Sequence, residues 1–110
     1  MWNLKFKLWL ENAEGELVIG EGVLELLGNI QRSGSISKAS EELDMSYRAA
    51  WGKIKKVENR LGYKLVEKKA GGKGGGGTIL TKEGEKLIEK FEEINEKTRE
   101  AVQQIYREYF

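Results

Sequence analysis

The chain has 110 residues, enough for one domain and one protruding element. It contains no cysteine and no histidine, which excludes disulfides and thiolate or imidazole metal sites and removes the commonest general base. The net charge of +1 conceals an uneven distribution, because residues 46–73 hold nine Lys or Arg and two Glu, whereas the remainder holds ten Lys or Arg and sixteen acidic residues. This basic block predicts a polyanionic partner, with a solvated surface as the alternative.

The composition also disfavours several classes of function. No apolar run is long enough to cross a membrane, and residues 1–16 lack the apolar core of a signal peptide. We therefore expect a cytoplasmic protein with no membrane partner. A catalytic site built only from Lys, Glu, Tyr and Ser is uncommon, so we predict no enzyme activity, no cofactor, no metal ion and no small-molecule site.

The N-terminal region, residues 3–20, is predicted to form a β-hairpin. Residues 3–9 alternate apolar and polar side chains, with Leu4, Phe6 and Leu8 on one face. The following NAEG segment supplies turn chemistry, and ELVIG at residues 16–20 returns as a second strand. The hairpin is expected to cover one edge of the core.

Two helices are predicted before the basic block. Residues 21–33 place their apolar side chains in one stripe, and Gly34 ends that helix. Ser35 then caps a short helix over residues 36–43. As the first member of a helix-turn-helix pair, this short helix would cross the DNA backbone. Its candidate phosphate contacts are Ser35, Ser37 and Lys38.

A third helix is predicted between its cap, Ser46, and its stop, Gly62. Its apolar face, with spacings of four, three and four, is formed by Ala50, Ile54, Val57 and Leu61. Its opposite face carries Arg48, Gly52, Lys55, Lys56 and Asn59. A basic face with a side-chain-free notch at Gly52 suits a helix lying in the major groove of DNA, although a solvated surface helix has the same pattern.

The segment after this helix, residues 63–80, is predicted to be a two-stranded wing. Residues 63–69 and 78–80 are the strand-like runs, and AGGKGGGG lies between them. Such a tip lacks bulk, so Lys73 and the backbone N–H groups around Gly74 can approach phosphates or a minor groove. The loop also matches G-x-G-x-x-G, but it leads into a strand and not a helix, which argues against a dinucleotide site. A flexible linker is the remaining alternative.

A long helix capped by Thr81 is predicted to occupy residues 82–110. Its apolar stripe has coiled-coil spacing and consists of Leu87, Phe91, Ile94, Thr98, Ala101 and Ile105. So small a domain cannot bury the whole stripe, so we predict a dimerisation helix that follows a DNA-binding domain of residues 1–81. Packing of the helix back across its own domain is the alternative, and both arrangements can hold in part.

Several motifs of this chain carry a family resemblance, namely LVIGEG at residues 17–22, GSIS at 34–37, SYRAAW at 46–51, GGKGGGG at 71–77 and LT at 80–81, followed by Gly84. Together they resemble the N-terminal DNA-binding domain of the ModE family of molybdate-responsive transcription regulators, over nearly the whole chain. The helix-turn-helix is more distantly similar to that of LysR-type regulators, through Val57-Glu58 and Leu61-Gly62.

The resemblance implies a mainly α fold with small β elements (α+β), a winged helix-turn-helix that binds double-stranded DNA as a homodimer. It also implies that the helix starting at SYRAAW is the recognition helix and that the glycine loop is the wing. With the candidates above, the DNA-binding set is Ser35, Ser37, Lys38, Ser46, Tyr47, Arg48, Trp51, Gly52, Lys55, Lys56, Lys73 and Gly74. Trp51 borders the apolar face, so a core role competes with a DNA-facing one.

The resemblance implies a sequence-specific transcription regulator of the ModE type. Members of that family bind molybdate or tungstate in C-terminal domains, and the chain ends after the long helix. We therefore expect a regulator that lacks the molybdate-binding domain. A protein-interaction module on the same scaffold and a non-specific nucleoid-type DNA binder are the alternatives.

Overall fold

The computed structural model describes residues 1–69 and 77–110. Its elements in chain order are β1 (Leu10–Glu11), β2 (Leu17–Ile19), α1 (Glu21–Ser33), α2 (Ile36–Glu42), α3 (Tyr47–Leu61), β3 (Val66–Lys68), β4 (Thr78–Leu80) and α4 (Lys82–Tyr109). The strands form two separate antiparallel pairs, β1 with β2 and β3 with β4. The predicted mainly α architecture with small β elements is confirmed. None of the helices in this part of the chain is both long enough and apolar enough to cross a membrane.

The core is built around α1 and α3. The largest side chains with almost no exposed surface are Ile19, Leu26, Leu27, Ile30, Ile54 and Leu65. Burying an aliphatic side chain of this size contributes about 1.5–3 kcal/mol, so this cluster dominates the stability of the domain. The spacing of Ala50, Ile54 and Val57 brings one face of α3 into the cluster, as predicted.

The helix-turn-helix forms where its capping residues require. Gly34 ends α1 in the left-handed conformation, at a φ of 72°, and its N–H donates to the Ile30 carbonyl at 2.7 Å. The Ser35 hydroxyl then accepts from the N–H of Lys38 at 3.1 Å and starts α2. The helix ends at Glu42, one residue before the predicted end. Asp44 follows with a φ of 53° and makes the tight turn into α3.

The predicted first strand at residues 3–9 is wrong, because the hairpin forms later in the chain. Leu10 pairs with Ile19 and Glu11 with Leu17. The Asn12 carboxamide oxygen accepts from the N–H of Glu16 at 2.9 Å and closes a short turn. Since β2 has only three residues, a turn at this place leaves residues 3–9 without a partner strand.

Residues 1–9, hereafter the arm, instead lie beside α1 and α4. The backbone N–H of Trp2 donates to the Tyr106 hydroxyl at 3.4 Å, and the Trp2 ring meets that of Phe110 edge to face with 5.4 Å between centroids. Further along the arm, Leu4 to Leu8 border an open cleft against α1 and α4. The arm therefore connects the start of the chain with the far end of the last helix.

The first wing strand is shorter than the predicted run of residues 63–69. Val66 pairs with Leu80 and Lys68 with Thr78, so regular pairing begins at Val66 and not at residue 63. The Thr78 N–H donates to the Gly34 carbonyl at 2.9 Å, which attaches β4 to the end of α1. The wing therefore rests on the residue that separates α1 from α2.

The long helix α4 is not a separate unit from residue 82 onward. Leu87, Ile88 and Phe91 are buried in the same cluster as α1 and α3. The predicted boundary after residue 81 therefore cuts through the core. The assignment of Leu87 and Phe91 to a dimer seam is corrected as well, because their side chains pack against their own domain. The exposed part of the stripe begins at Ile94.

Candidate nucleic-acid interface

The exposed face of α3 carries several basic side chains. The Ser46 hydroxyl accepts from the N–H of Ala49 at 3.0 Å and fixes the first turn, and Gly62 ends the helix in the left-handed conformation. Burial of Ala50, Ile54 and Val57 turns the opposite side outward. The residues exposed on that side are Arg48, Gly52, Lys55, Lys56 and Asn59. The face predicted from the sequence is therefore open to a ligand along its full length.

Two aromatic rings lie on one flank of this face. Tyr47 is exposed, and its ring meets the ring of Trp51 nearly at a right angle, with 6.4 Å between centroids. Trp51 is half-buried and packs against the core, so the core role left open by the sequence applies to part of its side chain. The Lys55 ammonium lies 5.2 Å from the centroid of the Trp51 ring, a distance typical of a cation–π contact. The Trp51 ring is thus held from three sides.

The same lysine continues a chain of contacts toward the wing. Its ammonium lies 3.5 Å from the Glu58 carboxylate, which is buried. Glu58 also accepts from the backbone N–H of Leu65 at 2.7 Å and of Val66 at 3.3 Å. Glu58 therefore fixes the first wing strand relative to α3.

Sequence analysis missed this role of Glu58. Its spacing of four from Ile54 places it beside the apolar face, which was the available signal. A carboxylate at such a position needs hydrogen-bond partners, because burying a charged group without them is costly. Its partners come from the segment after Gly62, and the helical pattern alone does not show where that segment returns.

The start of α2 provides a second polar surface. Ser37 and Lys38 are exposed, whereas Ser35 is half-buried and its hydroxyl is engaged as the helix cap. Ser37 and Lys38 are therefore free to contact a ligand with their side chains. Ser35 has a structural task that is sufficient to explain it.

Two predicted contacts cannot be placed. Lys73 and Gly74, which the sequence predicted to lie at the tip of the wing, are outside the described residues. The base of the wing is described on both sides of that gap. There the Lys69 N–H donates to the Gly77 carbonyl at 2.9 Å.

The outer half of α4 carries the exposed remainder of its apolar stripe. Ile94, Ala101 and Ile105 are exposed, and Thr98 is half-buried with its hydroxyl donating to the Ile94 carbonyl at 2.7 Å. The residues on either side of this stripe are mostly charged, and the ion pairs Lys97–Glu93 and Arg99–Glu96 lie beside the stripe. An apolar stripe with charged flanks is the arrangement of a helix that pairs with another helix.

A helix-turn-helix with an exposed basic second helix, followed by a two-stranded wing, defines a winged helix-turn-helix DNA-binding domain. Residues 23–85 match the family described as bacterial regulatory helix-turn-helix protein, lysR family. That match covers more than half of the 110 residues, so the chain belongs to this family.

Curated relatives narrow the likeness further. Over 70 residues the chain is 46% identical to the molybdenum-pterin-binding protein MopB of Rhodobacter capsulatus. The aligned residues make up 64% of this chain and 26% of that protein. Over 69 residues the chain is 41% identical to the DNA-binding transcriptional dual regulator ModE of Escherichia coli K12. Here the aligned residues make up 63% of this chain and 26% of the relative. The aligned part is therefore about a quarter of the length of these relatives.

Solved structures agree on the fold. A CbnR_DBD–DNA complex superposes with a TM-score of 0.62 at 19% identity, covering 81% of this chain and 97% of the other. ArgP from Mycobacterium tuberculosis superposes with a TM-score of 0.56 at 22% identity, covering 78% of this chain and 30% of its own. At such low identities these structures establish the fold alone.

Proposed function

We propose that this protein is a transcription regulator of the ModE type that binds double-stranded DNA sequence-specifically as a homodimer. The observation that carries the proposal is the exposed basic face of α3 within a helix-turn-helix of a regulatory family. The names of the relatives connect them with molybdenum, so promoters of molybdenum-uptake genes are the first duplexes to test. A regulator of bacterial genes acts on the chromosome, from which we infer a cytoplasmic location.

The side chains of α3 divide between two kinds of contact. Arg48 lies in the first turn, where a recognition helix meets base edges, and its guanidinium is suited to bidentate contact with guanine. Lys56 lies further along the helix and is suited to a phosphate. Ser37 and Lys38 of α2 are proposed to contact the DNA backbone next to the phosphate that Lys56 contacts. Phosphate contacts supply most of the affinity, and base contacts supply the sequence preference.

Replacing Arg48 and Lys56 separately is expected to distinguish the two kinds of contact. Arg48→Ala removes a base contact and is expected to weaken binding to the cognate duplex by about 1–3 kcal/mol while changing a scrambled duplex much less. Lys56→Ala is expected to weaken both duplexes alike and to lower the slope of log affinity against log salt by about one. Fluorescence anisotropy at several salt concentrations measures both effects.

Either variant is able to contradict the proposal. Equal losses on cognate and scrambled DNA for Arg48→Ala would exclude its role in base recognition. If the wild-type protein binds all duplexes equally and only through salt-dependent contacts, the protein is a non-specific DNA binder. If it binds none of them at low salt, the DNA-binding proposal fails.

Gly52 is proposed to allow close approach of the DNA backbone to the middle of α3. In the described part of the chain, no atom outside its helical surroundings lies within 4 Å of the position that a Cβ would take, so Gly52→Ala introduces no clash there. In a helix interior alanine is more favourable than glycine by about 1 kcal/mol, so the midpoint of urea unfolding should shift to a higher urea concentration. DNA affinity should fall at the same time. Higher stability with unchanged affinity would contradict the close approach.

The homodimer is proposed to form along the exposed stripe of α4. Ile94, Thr98, Ala101 and Ile105 repeat at spacings of four, three and four, and two copies of such a stripe can pair about a two-fold axis. The charged residues beside the stripe keep that pairing in register. A two-fold dimer would present two recognition helices to a roughly palindromic operator.

A charge within the stripe is expected to disrupt the dimer and leave the domain folded. Ile105→Glu lies well beyond Phe91, the last buried residue of α4, so the core should be unaffected. Sedimentation equilibrium should show at least a tenfold weaker dimer, the effect expected when a buried aliphatic contact is replaced by a charge. Gln104→Glu adds the same charge beside the stripe and should change dimerisation little. Equal behaviour of the two variants would place the dimer interface elsewhere.

A further inference from the structure

The exposed aromatic ring at the start of α3 belongs to the DNA-binding set predicted from the sequence, but the contacts proposed above give it no partner on the DNA. Tyr47 is the first residue of the helix and its side chain is 55% exposed. In the arrangement proposed above, the first turn of α3 meets the base edges of DNA, so the exposed ring stands beside them.

The ring is also held in place. Tyr47 and Trp51 are four residues apart on one flank of α3, and their rings meet edge to face at 6.4 Å. Trp51 cannot move freely, because it packs against the core and Lys55 covers its ring. Contact with this restrained Trp51 ring limits the rotation of the Tyr47 ring. A ligand that contacts Tyr47 therefore causes little further loss of side-chain entropy.

The charges near the ring narrow the class of partner. The ammonium of Lys55 is engaged with the Trp51 ring and with the buried carboxylate of Glu58, so it does not stand beside Tyr47 as a free phosphate contact. Tyr47 itself carries no charge, and most of its exposed ring is apolar. In the major groove of DNA, the C5-methyl group of thymine is the apolar group that the base edges offer.

We propose that Tyr47 contacts a thymine methyl group and thereby gives the protein a preference for thymine beside the base that Arg48 contacts. This inference rests on the proposed function and identifies the chemistry of one position in the operator. The Trp51 ring acts as a positioning residue, since it restrains Tyr47 without being required to touch the DNA. The Tyr47 hydroxyl is not required for the contact.

Replacing thymine with uracil tests the contact, because uracil lacks only the C5-methyl group. A cognate duplex is first selected with the wild-type protein from a random pool, and each dT is then changed singly to dU. For wild-type protein, one or two dU positions per half-site should weaken binding about fourfold, the effect expected for one methyl group left in water. For Tyr47→Ala, the same dU changes should have no effect.

Two further variants separate the contribution of the Tyr47 ring from those of its hydroxyl and of an exposed tyrosine elsewhere on the domain. Tyr47→Phe keeps the ring and loses the hydroxyl, so it should retain the dU sensitivity. Tyr63→Ala removes an exposed tyrosine just beyond the end of α3 and should also retain it. Circular dichroism of each variant shows whether the fold is intact before its affinity is compared.

The outcomes distinguish this inference from the function on which it rests. Discriminating binding with no dU effect at any position would overturn the thymine contact and leave the regulator intact. The same holds if Tyr47→Ala keeps the wild-type dU sensitivity, or if Tyr47→Phe loses it. Wild-type protein with no sequence preference at all would overturn both.

Discussion

Gly84→Ala is expected to lower the free energy of unfolding by about 1–3 kcal/mol, the range for forcing additional volume into a packed core. Gly84 lies in the first turn of α4, and a Cβ there would overlap the Leu65 carbonyl oxygen. That oxygen belongs to the backbone and already accepts from the N–H of Thr81 at 2.9 Å, so it cannot turn aside without loss. Urea unfolding followed by circular dichroism measures the change.

The same substitution at Gly52 is the matched control. Helix propensity favours alanine over glycine at both positions by about 1 kcal/mol, so propensity alone predicts that both variants gain stability. Contact with Leu65 reverses the sign at Gly84, whereas the surroundings of Gly52 are open. If Gly84→Ala is as stable as Gly52→Ala, α4 does not approach the Leu65 backbone closely enough to exclude a methyl group.

Glu58→Ala is expected to lower the free energy of unfolding by about 3 kcal/mol. The change leaves the backbone N–H groups of Leu65 and Val66 without their buried acceptor, and each such loss costs about 1–3 kcal/mol. Amide hydrogen exchange at these two residues should accelerate relative to the core of α1, because β3 loses its attachment to α3. DNA affinity should fall as well, since the wing is then no longer fixed relative to the recognition helix.

Two variants control for the loss of charge and for general effects of substitution. Glu58→Gln keeps an oxygen able to accept from the two N–H groups but loses the ion pair with Lys55, and should lose clearly less stability than Glu58→Ala. Glu67→Ala removes an exposed carboxylate from the neighbouring strand and should be nearly neutral. A Glu58→Ala variant as stable as Glu67→Ala would show that the buried carboxylate does not hold the wing.

The helices were predictable because their ends are determined by adjacent residues. Ser35, Ser46 and Thr81 each accept from a backbone N–H three residues later, and such bonds require no distant partner. Gly34 and Gly62 end their helices in a conformation that glycine adopts without steric cost. The basic face of α3 followed from the spacing of its apolar residues for the same local reason.

The errors concern residues whose environment depends on distant parts of the chain. The alternation at residues 3–9 is compatible with a strand, but a strand also needs a partner. The turn at Asn12 pairs β2 with residues 10 and 11, so no strand is left to pair with residues 3–9. In the stripe of α4, the repeat cannot indicate how far the core extends. The domain buries the stripe as far as Phe91 and leaves Ile94 exposed.

Caps, glycine stops and helical periodicity act within a few residues, so they were sufficient to predict a helix-turn-helix, the residues on the open face of its second helix and the concentration of positive charge there. The way in which those parts are joined is visible only in the tertiary structure. That structure showed that Glu58 attaches the wing to α3, that Trp51 lies partly in the core while holding Tyr47, and that the first turns of α4 belong to the domain. Each of these depends on which backbone and side-chain groups the folded chain brings together from separate segments, and hydrogen bonding and burial of such groups are properties of the whole fold.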